Sequence, residues 1–120
     1  MKCEAEARTD PHCLFCKIVD GGIPAEVVAS NAEAIAFRDL HPQAPTHVLV
    51  IPRRHGVNAA ETAAQGGVDA LVTLAAEVAA DEGLGQGYRL VFNTGPDAGQ
   101  AVFHTHLHLL GGRNLGWPPG

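Results

Sequence analysis

His104-Thr105-His106-Leu107-His108-Leu109-Leu110 alternates imidazoles with apolar or β-branched residues. Read as a strand, it puts His104, His106 and His108 on one face and Thr105, Leu107 and Leu109 on the other, because side chains on an extended chain alternate sides. The result is a row of rings backed by an apolar surface, as on a strand packed against a core. Neutral imidazoles gain little from stacking and charged ones repel, so packing gives no reason for such a row. The stretch reads as a functional site on a buried strand.

The neighbouring segments supply the rest of a sheet. Tyr88 to Asn93 alternates as another strand, and the loop Thr94 to Gly99, with Gly95-Pro96-Asp97, joins it to the histidines. His47-Val48-Leu49-Val50-Ile51-Pro52 is continuously apolar after His47, as a central strand must be, and ends at Pro52 and Arg53-Arg54. The prolines of His41-Pro42-Gln43-Ala44-Pro45 each lack a backbone donor, which makes that segment a loop. Val27 to Ala29 and Ala34 to Asp39 read as a hairpin around Ser30-Asn31-Ala32.

Val68, Leu71, Val72, Ala75, Val78 and Ala79 follow the spacing of an amphipathic helix that Gly83 ends. Gly66-Gly67 separates it from a short turn at 58–65. Cys13 to Val19 predicts a short N-terminal helical turn whose buried face is Phe15, Ile18 and Val19, stopped by Gly21-Gly22 and Pro24. Five strands, one main helix and this short helix make an α+β fold.

A chain of 120 residues fits a single domain with a sizeable core. Residues 1–11 are polar and end in Asp10-Pro11, so they read as a flexible N-terminal tail before a domain at 12–120. No segment resembles a signal peptide or a membrane span, which predicts a soluble, cytoplasmic protein. The net charge of −5 argues against a nucleic-acid-coating surface, which needs clustered Lys and Arg. It leaves room for one small anionic ligand. The three cysteines are an odd count and suggest a metal pair or free thiols more than a disulfide framework.

A nucleophilic histidine needs one unprotonated ring nitrogen while something holds the proton on the other. His106, in the middle of the row, is best placed to attack a phosphorus, with His104 and His108 tuning it or touching phosphate oxygens; a metal-binding face and three incidental histidines are the competing readings. Gly95 and Gly99-Gln100-Ala101 offer the close backbone approach that a phosphate requires. Cys13-x-x-Cys16 is either half of a tetrahedral zinc site, completed by His55 and His104, or a buried thiol pair. Asp39 could accept two hydrogen bonds from a ribose diol or be a solvated turn residue, and Asn93 is similarly ambiguous. Trp117-Pro118-Pro119-Gly120 is a stiff aromatic tag, either a loose tail or an arm that docks on a partner subunit.

Together these residues resemble the histidine triad (HIT) superfamily. The three histidines match its alternating signature. Asp39-Leu40, Pro42 to His47, Leu49 to Pro52, Gly87-Tyr88-Arg89, Gly99-Gln100, Gly111-Gly112-Arg113 and Trp117 to Gly120 resemble its Hint branch, over about Cys13 to Gly120. The resemblance implies a five-stranded antiparallel sheet extended across a homodimer, with the arm Trp117 to Gly120 reaching the partner. It implies a purine nucleoside phosphoramidase that binds nucleoside monophosphates and cleaves AMP amides or related adenylates through an AMP-histidine intermediate on His106.

By the same resemblance Asp39 and Leu40 hold the ribose, and Phe15, Ile18 and Phe37 flank the base. Asn93, Gln100, Ala101 and His108 surround the α-phosphate, while His47 supports the row. Structural zinc on Cys13, Cys16, His55 and His104, as in many bacterial relatives, is also implied. Relatives often carry Ser at the position of Ala101, which implies slower catalysis here and keeps an AMP-sensing regulatory dimer in view. A dinucleoside polyphosphate hydrolase of a sister branch is a further alternative.

Overall fold

The computed structural model describes Asp10 and residues 12–120. The tail expected over residues 1–11 therefore lies outside the described residues, Asp10 excepted. Asp10 is tied to the cysteine pair: its carbonyl accepts from the Cys13 N–H at 3.0 Å, and its own N–H donates to Cys16 Sγ at 3.2 Å.

The strands are β1 (Val27–Ser30), β2 (Ala34–Arg38), β3 (Thr46–Pro52), β4 (Tyr88–Val91) and β5 (Leu107–Gly111). The helices are α1 (Leu14–Val19), α2 (Ala59–Ala64) and α3 (Val68–Asp81). The strands form one sheet in the order β1-β2-β3-β5-β4, with every pair antiparallel. This is the expected α+β architecture. All of β3 is buried, which is why its sequence runs apolar without alternation.

Directly paired residues share a face, so Val48 with Leu109 and Val50 with Leu107 point the same way. α3 covers that face with Leu71, Leu74, Ala75, Val78 and Ala79, a single stripe at helical spacing. The helix stops where Gly83 takes φ +74°, a left-handed conformation that suits glycine. Glu82, at the negative end of the helix, would be disfavoured alone. Arg38 at the end of β2 answers it with two hydrogen bonds of 3.1 and 2.9 Å, which hold its carboxyl below the usual carboxylate range.

The opposite face carries Ile35, Phe37, Leu49 and Ile51, and α1 lays Phe15 and Cys16 on it. A helix of six residues has little stability of its own, so this burial holds α1 in place. His47 and His108 share this face with Leu49, because Leu49 pairs with His108 and His47 with Leu110. One face of the sheet is thus closed by α3, while the other is partly open beside the histidines.

Three local features differ from the sequence expectation. β5 begins at Leu107, so His104, Thr105 and His106 precede the strand. Beyond the Val50–Leu107 pair, Ile51 and Pro52 pair only with β2, and the Thr105 N–H instead donates to the Gly56 carbonyl at 2.7 Å. The alternation of faces persists nonetheless: Thr105, Leu107 and Leu109 are all buried behind the row. Second, the turn expected at 58–65 contains a real helix, α2, capped by Asn58, whose side chain accepts from the Glu61 N–H at 3.0 Å. Third, β4 ends at Val91, and a 3₁₀ turn at Pro96–Ala98 comes after it.

Candidate functional site

Four segments meet on the open face: the start of α1, the loop after β3, the approach to β5, and β5 itself. Cys13 precedes α1 and Cys16 lies three residues on, so their thiols fall on one side of its first turn. His55 comes from the loop after β3, and His104 is completely buried. Cys13 Sγ lies 3.4 Å from His104 Nδ1, and Cys16 Sγ lies 3.3 and 3.4 Å from the Nδ1 atoms of His55 and His104. The two Nδ1 atoms are 3.2 Å apart.

Zinc bonds of ordinary length to sulfur and nitrogen, arranged tetrahedrally, place such ligand atoms about 3.3 to 3.6 Å apart. These four separations come close to that spacing, and all four donors lie within 4.8 Å of one another. Burial pushes the Cys16 thiol up to about 12, so only a cation at the cluster would favour its thiolate. The His104 ring is already set for the task. Its Nε2 lies 2.9 Å from the Pro52 carbonyl, which can only accept, so the proton sits on Nε2 and the Nδ1 lone pair faces the thiols. The cluster fits a zinc site.

Two residues on, the backbone grips the opposite nitrogen. His106 Nδ1 lies 2.8 Å from the His104 carbonyl, so Nδ1 carries the proton and Nε2 keeps a free lone pair. His108 is set from further away. The Gln43 N–H donates to His47 Nδ1 at 3.0 Å, which leaves the proton of neutral His47 on Nε2. That nitrogen is 2.9 Å from His108 Nδ1 and 3.5 Å from Asp39 Oδ2, so the nearer imidazole is its main acceptor. His108 therefore carries its own proton on Nε2, a buried atom with no partner among the described residues. Burial keeps both rings neutral: it lowers His47 against the pull of Asp39, and lowers His108 to about 4 with help from His106 and His47.

The site therefore holds an unprotonated ring nitrogen on His106 beside a donor on His108, with ring centroids 5.0 Å apart. Phe15 and Phe37 meet edge to face at 5.7 Å and form an apolar wall next to His106, with Ile18 packed against the same cluster. Asp39 sits just past β2 with Oδ1 accepting from the His41 N–H at 2.7 Å, and Leu40 beside it is 90% exposed. Asn93 lies two residues past β4, half-buried, with its amide making no hydrogen bond among the described residues. Ala101 lines a cleft of about 320 Å³ together with His55, Val102 and Phe103.

Gln100 is placed differently from a residue free to grasp a ligand. Its Oε1 accepts from the Gly95 N–H at 2.9 Å, and its Nε2 donates to the carbonyls of Val57 at 2.6 Å and Val102 at 3.1 Å. The side chain knots the 95–102 loop to the loop after β3. Sequence reading missed the backbone groups that set the rings, those of Gln43, Pro52 and His104. Only the position of Pro52 at a strand end hinted at one of them.

The HIT domain family model matches residues 20–115. The chain belongs to the HIT family. α1 and its two cysteines precede the matched span, so relatives that extend further bear on the metal cluster. The 14 kDa zinc-binding protein of Zea mays is 44% identical over 115 residues, covering 92% of this chain and 90% of its own. The adenylylsulfatase HINT1 of Arabidopsis thaliana is 42% identical over 120 residues, covering 97% of this chain and 82% of its own. A HIT family hydrolase from Legionella pneumophila superposes with a TM-score of 0.86 at 48% identity, covering 91% of this chain and 100% of that one. These likenesses place the whole described fold in the HIT family, and the four donors form a cluster that fits zinc. No helix among the described residues is long and apolar enough to cross a membrane.

Proposed function

We propose that this HIT protein is a Hint-type nucleoside phosphoramidase that cleaves AMP amides and related adenylates through a covalent intermediate on His106. The observation that carries this reading is the pairing of the free His106 Nε2 with the unpartnered Nε2–H of His108. His106 Nε2 attacks the phosphorus, the P–N bond to the leaving amine breaks, and the amine departs with a proton taken from solvent. The His108 Nε2–H donates to a phosphate oxygen as charge builds there. Water then attacks the phosphorus of the adduct, the N–P bond breaks with its electron pair returning to His106 Nε2, the water's proton passes to solvent, and AMP leaves.

Phe15, Ile18 and Phe37 flank the base in this reading, and Asp39 with Leu40 holds the ribose through the carboxylate oxygen that does not face the His41 N–H. Asn93, the Ala101 N–H and His108 surround the phosphate, while Gln100 shapes the loop from behind. Cys13, Cys16, His55 and His104 would hold zinc, which supplies structure when bound and leaves His106 free. A pair of buried thiols kept for a metal suits the reducing cytoplasm.

The homodimer forms through β4, an edge strand, beside a cleft of about 520 Å³ between the end of α3 and residues 112–115. Trp117 is 83% exposed and reaches the partner's site. Adenylyl sulfate is a second substrate of the same chemistry, on the strength of the adenylylsulfatase relative.

Acid quenching during turnover of an AMP amide should yield protein heavier by one AMP, with the adduct absent in His106→Ala. Unmodified protein, with unchanged turnover in that variant, would sink the proposal. AMP binding with turnover no faster than buffer would favour the regulatory dimer, and release of two nucleotides from a dinucleoside polyphosphate would favour the sister activity.

A further inference from the structure

Cys13 and Cys16 bracket the first turn of α1, and Phe15 stands between them. With both thiols directed at His55 and His104, the Phe15 ring lies edge-on against three others. Its centroid is 5.1 Å from that of His106, 5.7 Å from Phe37 and 6.0 Å from His104, with interplanar angles of 81°, 70° and 77°. Such edge-to-face contacts depend on ring position, so a small shift of α1 moves all three. A second route runs through His104, which offers Nδ1 to the thiols and its carbonyl to His106.

We infer that Phe15 is a positioning residue, seated by Cys13 and Cys16, that couples metal occupancy to nucleotide binding by setting the His106 ring and the wall of the base pocket together. This rests on the reading of His106 as the nucleotide site. α1 is too short to keep its place unaided. Beyond the burial of Phe15 and Cys16, the thiols fix its first turn against His55 and His104 on the same face of the sheet, and releasing them lets Phe15 shift against the rings it packs on. The coupling is reciprocal: a loaded cluster that favours nucleotide requires bound nucleotide to favour retained metal by the same factor.

The test is the zinc affinity of the wild-type protein, measured by competition with a chelator at equilibrium, with and without saturating AMP. AMP should tighten zinc by about fivefold or more, and calorimetric AMP affinity should drop by the same factor once zinc is removed. Phe15→Ala keeps all four metal donors, so it should bind zinc stoichiometrically with no response to AMP. Phe15→Leu, which keeps apolar bulk without an aromatic edge, should behave likewise and serves if the alanine variant does not fold.

Equal zinc affinity with and without bound AMP overturns the coupling. An undiminished AMP effect in the variants, or loss of zinc from both of them, overturns the role of Phe15. Failure of AMP to bind the loaded wild-type protein overturns the nucleotide reading instead.

Discussion

In the metal corner the Pro52 carbonyl takes hold of His104 at Nε2 and leaves Nδ1 to the cysteines, whereas two residues on the His104 carbonyl takes hold of His106 at Nδ1 and leaves Nε2 with a free lone pair. The residue type is the same and the rings come from one alternating stretch. What separates the two rings is which nitrogen the backbone occupies. His108 is a third case, its lone pair met by another imidazole so that its N–H faces the site. A carbonyl makes a histidine a base at the far nitrogen, and a donor makes it an acid there.

Exchanging the two deletions gives the largest test of this contrast. His106→Ala should lower turnover by about four orders of magnitude or more while zinc stays stoichiometric by elemental analysis. His104→Ala should lose the zinc and, as a cavity at a fully buried site, about 3 kcal/mol of stability in denaturant titration. Retained zinc in His104→Ala would break the division.

The next effect concerns the donor chain. His47→Phe removes the group that sets His108, so turnover should fall by about a hundredfold with zinc content unchanged; steady-state rates check it. A smaller effect is expected in the loop before β5, where Ala101→Ser adds a hydroxyl. Its turnover should rise by about tenfold, the size of one hydrogen bond in the transition state; an unchanged rate would show that the Ala101 backbone suffices.

The smallest effect is on stability. Because burial lowers His108 to about 4 in the native state, the unfolded chain takes up a proton that the native ring refuses. Its stabilising contribution is complete above pH 6.5 and declines as pH falls from there toward 4. Thermal midpoints of the zinc-loaded protein should drop across that window, and less steeply in His108→Asn.

Alternation made the fold and the row of rings legible, because period two shows directly which residues share a face. The apolar run Val48 to Ile51 likewise announced a central strand, and the α3 stripe announced its cover. The division of labour among the rings was not legible, since it depends on main-chain carbonyls and amides that every sequence possesses. The start of β5 is illegible for a related reason: Thr105 reads as a strand residue, but its N–H and its hydroxyl both donate to the Gly56 carbonyl and its Oγ1 accepts from the Thr62 hydroxyl at 2.6 Å, contacts made across the chain. The knot that Gln100 ties is equally illegible, because its partners, three backbone groups, leave no trace in side-chain identity.

The bond from Gln43 to His47 comes from a main-chain N–H, in a loop stiffened by Pro42 and Pro45. Any amino acid but proline could supply it, so the side chain at position 43, exposed near the site, is open to redesign of substrate preference without disturbing the proton order of His47 and His108. Gln43→Pro is the one exchange there that would erase the chain's first instruction.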